Sequence, residues 1–494
     1  TTKTYFCFSR LHPKVSKLVA SEKSILIIDE EQEFREILRA WLMEDGWTVY
    51  EAEDGEEGLA AIRKFSPHVV ICDLLMPRCN GFSLCRQIHA DKAIAHTKII
   101  ISSSRGYAGD RLSAMQCGAD EYLVKPYQED ELFNILIRML EPEKSAFVKF
   151  WERVRPSDTG LTPETKRHTQ RISKASTAPT AQEERAPESH NDSMKIRFWG
   201  VRGSTPTPGP STVHYGGNTS CVEIRADGEL IILDAGSGIR PCGQALVKEF
   251  KDEPISLNLL LTHTHWDHIQ GFPFFIPAYN PRNKITVRGF EGSFESLAEI
   301  FDNQMKAPYF PISMAQMASL PEIVEIKDME FNIGKVHVQA KFMNHPGICV
   351  GYRINSSSGS VAFMPDNEPY QRLRGTTDSR ERITEESLAY ARKMDEQLVD
   401  WIRDVDVLII DSQYDDSEYQ SKVGWGHGCL DDVVSLALLA NVKQLYLFHH
   451  DPDHDDAHIT RMTQWARDLV AMHGDPLQVE ASREGLEIDL MPQF

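Results

Sequence analysis

The sequence predicts an α/β chain made of two globular units. Between Lys23 and about Leu140, short β-branched runs alternate with amphipathic stretches, which is the pattern of a parallel sheet with covering helices. From Met194 onward, short strands and Gly-rich turns surround one apolar strand that runs into a dense His/Asp cluster. Between them, residues 156–193 hold only Leu161 and Ile172 as large aliphatic side chains, too few for burial to offset the entropy of ordering.

At 494 residues and ~150 residues per domain, the chain has room for two or three domains, and two fit its pattern. The expected division is an N-terminal extension over 1–22, a first domain over 23–145, a flexible linker over 146–193 and a second domain over 194–494. Residues 1–20 are mixed, weakly basic and not preceded by Met, as in a truncation or an expression remnant, and carry no predicted function. With 41% hydrophobic and 26% charged residues and no apolar run approaching ~18 positions, no membrane span is expected. Nine scattered cysteines without a CxxC pair fit a reducing cytoplasm. The net charge of −20 disfavours polyanionic partners such as nucleic acid.

In the first domain, Ile25-Leu-Ile-Ile28, Val69-Val-Ile-Cys72 and Ile99-Ile-Ile101 read as strands, and Phe34 to Met43 as an amphipathic helix. Asp29 and Glu30, Asp73, Ser103 and Lys125 each stand at a strand end. In a doubly wound parallel sheet those ends line one crevice, where converging carboxylates need a hard cation such as Mg2+ between them. Asp73 is then the candidate acceptor of a phosphoryl group, with the Lys125 ammonium and Ser103 hydroxyl binding its oxygens. These residues, with Met76-Pro77 and Gly81, resemble the response-regulator receiver family over about 120 residues. The resemblance implies a flavodoxin-like (βα)5 fold, phosphorylation of Asp73 by a sensor histidine kinase, and a Ser103/Tyr122 pair that responds to it. Glu30 in place of a second Asp, and Tyr127 after Lys125-Pro126, depart mildly from the family pattern.

In the second domain, Leu259-Leu-Leu-Thr-His-Thr-His-Trp-Asp-His268 runs an apolar strand into four potential ligands. His263 and His265 project to one side of an extended segment, and a turn beginning at Trp266 brings Asp267 and His268 to a second position. Two metal ions ~3.5–4 Å apart suit such a ligand set. The cluster resembles the metallo-β-lactamase superfamily over some 300 residues, which implies an αββα fold. The resemblance assigns His345 to the first metal, Asp366 to a carboxylate bridging both, and His449 to the second metal with Asp267 and His268. His450 is the rival to His449. Zinc is the expected ion, with manganese or iron as alternatives.

Superfamily membership does not select the reaction. Asp366 argues against a β-lactamase. His427, in Gly424-Trp-Gly-His-Gly428, resembles the additional His of the tRNase Z and cyclic phosphodiesterase branches, which implies a general acid oriented by a carboxylate such as Asp411. Trp199-Gly-Val-Arg-Gly-Ser204, Tyr215-Gly-Gly-Asn-Thr-Ser220 and Leu233-Asp-Ala-Gly236 also resemble that branch. Arg202 and Asn218 are candidate anion donors there, and Tyr309 is a candidate wall for a nucleobase. The expected function is a two-component response regulator whose output domain hydrolyses a small, cyclic nucleotide under control of Asp73, acting as a homodimer in the cytoplasm. The alternatives are a non-hydrolytic dinuclear sensor of a ligand or of oxygen, with an iron pair in the latter case, and an RNA-processing nuclease. Because the linker transmits no strain, coupling is expected through receiver dimerisation or occlusion of the hydrolase mouth.

Overall fold

Five β-branched segments form the N-terminal sheet: β1 (Ser24–Ile28), β2 (Thr48–Ala52), β3 (Val69–Asp73), β4 (Lys98–Ser103) and β5 (Glu121–Val124). All pairs are parallel and the order is β2-β1-β3-β4-β5. The inner strands are near-continuous apolar runs because helices cover both faces: α1 (Gln32–Glu44), α2 (Gly55–Phe65), α3 (Gly81–Ala90), α4 (Ala108–Cys117) and α5 (Glu129–Leu140). The strand order reverses between β1 and β3, so Asp29 and Asp73 meet at the crevice that this reversal opens. The expected flavodoxin-like layout is the one found. This computed structural model describes residues 23–140, 193–307, 309–374 and 384–491, so the expected N-terminal extension, and the expected linker up to residue 192, lie outside the described residues.

The second domain runs through β6 (Met194–Gly200), β7 (Cys221–Ala226), β8 (Glu229–Leu233), β9 (Ser256–Leu260), β10 (Lys284–Gly289) and β11 (Glu322–Glu325). It continues with β12 (Glu330–Ile333), β13 (Val336–Phe342), β14 (Val350–Ser356), β15 (Gly359–Met364), β16 (Val407–Asp411), β17 (Gln444–Phe448), β18 (Gln478–Ala481) and β19 (Glu487–Leu490). Two seven-stranded sheets result, ordered β11-β10-β9-β8-β7-β6-β19 and β12 through β18. Their inner faces share one core, in which Phe198, Ile224 and Ile231 of the first sheet join Tyr352, Phe363 and Ile409 of the second. On the outer face of the first sheet, Ile239, Cys242 and Leu246 of the helix Ile239–Phe250 pack over Leu257 and Leu259. Helices Glu385–Trp401, Leu430–Leu439 and Asp456–His473 cover the outer face of the second. The layering is αββα, as expected.

The site follows from this topology. β15, β16 and β17 run parallel, so the residues after their carboxyl ends, Asp366, Asp411 to Gln413 and His449, emerge at one edge of the sandwich. The segment after β9 brings His263 to His268 to the same edge. The two domains touch: Ile348 of the second domain joins the apolar core of the first, with Phe290 and Phe342 packed against it. Among the described residues no helix is long and apolar enough to cross a membrane.

Candidate metal centre and receiver site

His265 precedes a single helical turn, Trp266–Ile269, and that turn is what swings Asp267 and His268 away from His263. The result is two adjoining ligand groups. His263, His265 and His345 form one, and Asp267, His268 and His449 the other. Asp366 lies between them with its oxygens divided: Oδ1 is 3.2 Å from His268 Nε2 and 3.3 Å from His449 Nε2, and Oδ2 is 3.7 Å from His263 Nε2 and 3.6 Å from His345 Nε2. His263 Nε2, His268 Nε2 and Asp366 Oδ1 are buried without a hydrogen-bond partner among the described residues. Buried polar atoms left unpaired cost ~1–3 kcal/mol each, so this set fits divalent ions as the missing partners.

The ring nitrogens facing away from the centre are held. His268 Nδ1 lies 2.8 Å from Asp234 Oδ2, His345 Nδ1 lies 2.8 Å from the Gly426 carbonyl, and His449 Nδ1 lies 2.9 Å from Gln413 Oε1. Each contact fixes ring orientation and leaves Nε2 for an ion. Asp234 is itself held by Ser220 Oγ and by the backbone and hydroxyl of Thr262. His449 (φ +60°) and Asp234 (φ +61°) both adopt the left-handed backbone region, a cost borne where the surrounding structure over-determines it. Burial, with the charge of His268 beside it, holds His263 well below the ordinary range and so keeps its lone pair available. Burial also opposes the charge on Asp366, yet the neighbouring His449, His268, His263 and His345 hold its carboxyl well below the usual range.

His427 stands beside this cluster with Nδ1 2.9 Å from Asp411 Oδ2 and 3.8 Å from Asp366 Oδ2. Burial works against its cation, but Asp411, then Asp366 and Asp267, outweigh that and raise His427 to about 9. It rides in a loop whose Gly426 has φ +88°, where a Cβ would stand 2.5 Å from His345 Nδ1. A cavity of about 330 Å³ opens beside His263 and His265, walled by Phe294, Ile300 and Ile348. Tyr309 is 85% exposed.

The structure corrects two expectations. Arg202 is fully buried, and it donates through Nε to the Gly216 carbonyl and through Nη1 to the carbonyls of Asp451 and His454, so two of its nitrogens tie neighbouring loops together from inside rather than standing open to an anion. Asn218 is committed to Glu484 through its backbone and side-chain amides and to the Ser237 hydroxyl. His450, the rival ligand, donates through Nε2 to the Ser482 carbonyl, which takes that nitrogen away from the centre. Sequence reasoning did not assign Asp234, Gln413 or Gly426 their roles. Asp234 had a signal in Leu233-Asp-Ala-Gly236, whereas Gln413 had none.

In the N-terminal crevice, Lys125 Nζ bridges Asp29 Oδ2 and Asp73 Oδ2 at 2.6 Å each. Burial raises Asp29 to about 6, and partial desolvation beside Asp73 and Asp29 raises Glu30 to about 7. The Ser103 hydroxyl accepts from Arg105 N, and the Tyr122 hydroxyl donates to Arg105 O. Asp73 faces a cleft of about 260 Å³ between the domains, whose walls include Lys341, Tyr370 and Tyr390.

A family model for the response regulator receiver domain matches residues 25–137, and one for the beta-lactamase superfamily domain matches residues 230–450. This chain is a response regulator receiver domain fused to a beta-lactamase superfamily domain. The receiver domain is 37% identical over 112 residues to a probable transcriptional regulator ycf27 of Guillardia theta, a match covering 23% of this chain and 43% of that protein. The chain thus spans less than half the length of that curated relative. The lactamase-superfamily domain is similar to the metallo-beta-lactamase fold protein YhfI of Bacillus subtilis, at 17% identity and a TM-score of 0.41, covering 60% of this chain and 100% of that one. It is similar also to a diphosphatase of the PhnP family, at 17% identity and a TM-score of 0.41, over 61% of this chain and 100% of that one. This beta-lactamase superfamily domain carries adjoining His/Asp groups that could hold divalent metal ions.

Proposed function

We propose that the C-terminal domain is a dinuclear-metal phosphodiesterase acting on a small, cyclic nucleotide, modulated by phosphorylation of Asp73 by a sensor histidine kinase. In this reading His263, His265 and His345 would hold one ion, Asp267, His268 and His449 the other, and Asp366, which lies between the two groups, would serve both. The His/Asp donor set suits zinc, and manganese or iron as well. When bound, the ions supply Lewis-acid charge to the phosphate oxygens and lower the pKa of a water. In the receiver, Asp29, Glu30 and Asp73 would hold Mg2+, which would supply charge neutralisation to a transferring phosphoryl group, with Lys125 and Ser103 binding its oxygens.

The observation that carries the reading is His427 beside Asp366 with its Nδ1 held by Asp411. That contact keeps Nδ1–H on the carboxylate and leaves Nε2–H to protonate an alkoxide leaving group, which departs from phosphorus poorly without a proton. Against its burial, the Asp411 carboxylate favours the protonated ring, which is the acid form. The adjacent cavity of about 330 Å³ suits a small ligand. The net charge of −20 favours a small substrate over a long RNA. To test this, chain loaded with Zn2+ or Mn2+ is assayed against cyclic mono- and dinucleotides. Hydrolysis of at least one supports the reading, and two bound metals with none hydrolysed rejects it.

A further inference from the structure

The hydrolase loop Asn344 to Gly347, which carries His345, is gripped by the receiver domain. Arg105, fully buried directly after β4, donates through Nη1 to the His345 carbonyl, while its Nη2 pairs with Asp110 Oδ2 at 2.8 Å. Asp110 Oδ1 in turn accepts from Gly347 N at 2.8 Å. The Tyr107 hydroxyl lies 3.1 Å from the Asn344 carbonyl and 3.0 Å from Glu368 Oε2. Three polar contacts from one receiver segment therefore land on the backbone of Asn344, His345 and Gly347, on and beside a metal-ligand candidate.

Glu368 extends the grip to the second catalytic element. Fully buried, it accepts from Tyr419 OH at 2.6 Å, Gly424 N at 2.8 Å and Gly426 N at 2.9 Å, besides Tyr107. It thus holds the turn that presents His427, and the Gly426 carbonyl of that turn accepts from His345 Nδ1. On the receiver side the same segment is tied to the crevice, since Ser103 Oγ accepts from Arg105 N at 3.2 Å and Tyr122 OH donates to Arg105 O at 3.0 Å.

We propose that Arg105 and Tyr107 of the receiver domain are positioning residues of the hydrolase centre, Arg105 fixing His345 through its carbonyl and Tyr107 fixing the His427 turn through Glu368. The proposal rests on the assignment of His345 and His427 to that centre. Ile348, Phe290 and Phe342 supply the apolar adhesion between the domains. Beyond it, a guanidinium and a phenol are spent on the backbone of a ligand loop, and buried polar contacts of this kind fix position at the expense of desolvation. Outer partners of a metal ligand typically carry ~10–100-fold in metal affinity or activity. The receiver is then a component of the active site, and a change at Ser103 or Tyr122 reaches His345 through one residue. Coupling needs neither the linker nor a covered mouth, because His265 stays exposed.

The test uses the full chain with Arg105→Met, Arg105→Lys, Tyr107→Phe and, as an interface control, Lys327→Ala, which breaks the exposed Lys327–Glu56 pair 2.6 Å long. Two readouts are taken: metal retained per chain against increasing chelator, and kcat and KM on bis(p-nitrophenyl) phosphate. Arg105→Met is expected to release metal at ~10–100-fold lower chelator, Arg105→Lys to restore part of that retention, and Tyr107→Phe, by loosening the turn whose Gly426 carbonyl holds His345 Nδ1, to release metal at about tenfold lower chelator with KM within twofold. Lys327→Ala is expected to match the wild type. Retention and kcat in Arg105→Met and Tyr107→Phe equal to the wild type would overturn the proposal, as would equal losses in Lys327→Ala. If Arg105→Met does not fold, Tyr107→Phe alone decides. Metal retention needs no substrate, so a wild type that hydrolyses no phosphodiester rejects the phosphodiesterase reading and leaves this test standing.

Discussion

Asp411 Oδ2 stands 2.9 Å from His427 Nδ1, with Asp411 fully buried at the end of β16 and His427 at the lip of the metal-ligand cluster. This carboxylate both orients the ring and stabilises its cation. Asp411→Asn is therefore expected to lower kcat ~10–100-fold and to shift the pH profile. A general acid works only while protonated, so activity falls on the alkaline side as pH passes the His427 pKa. Loss of the Asp411 charge lowers that pKa and moves the alkaline limb to lower pH. A kcat–pH series on both forms checks the direction.

Asp366 offers one oxygen to each ligand group, so its removal should affect both ions at once. Asp366→Ala is expected to drop the metal content from two ions per chain to below one, read by elemental analysis after dialysis. His263→Ala is expected to retain one ion, because the group of Asp267, His268 and His449 remains.

His450 and His449 are adjacent in sequence but opposite in role. Burial depresses His450 to about 3, while its Nε2 donates to the Ser482 carbonyl. Between that value and the ordinary His value near 6.5, the unfolded chain binds more protons than the folded one, so stability rises with pH across this window and is lost on acidification. From pH 7 to pH 4 this linkage amounts to ~3 kcal/mol at most. Denaturant titrations of metal-free chain should show a shallower slope in His450→Gln than in the wild type.

The strand ends that carry chemistry were legible because each sits where a short apolar run stops. Leu259 to Leu261 announce His263, and Leu445 to Phe448 announce His449 over His450, whose backbone instead bridges to Arg202. The turn at Trp266 was legible from ligand spacing alone. Arg202 misled because an Arg beside glycines has the composition of an anion site, and only the fold reveals that its Nε and Nη1 are committed to carbonyls. Gln413 and Glu368 carried no periodic or motif signal. The grip of Arg105 on His345 joins residues 240 positions apart and depends on how two domains pack, which no local pattern encodes.

Glu30 and Asp29 are raised to about 7 and about 6, so protons compete with a cation in the receiver crevice. Mg2+ affinity there is expected to fall about tenfold from pH 8 to pH 6. Calorimetric titration of wild type and Glu30→Gln, with the hydrolase site preloaded with zinc, checks it: the variant should bind more weakly at pH 8 and change less with pH.

The claim that His427 is the proton donor of a phosphodiesterase is tested most directly by leaving-group dependence. His427→Ala and wild type are compared, both shown to hold two metals, on a cyclic nucleotide that the wild type hydrolyses and on bis(p-nitrophenyl) phosphate, whose phenolate leaves without a proton. The account predicts a kcat loss of ~10²–10⁴ on the nucleotide and a loss below about tenfold on the aryl ester. Equal losses on both substrates, or no loss on the nucleotide, would contradict it.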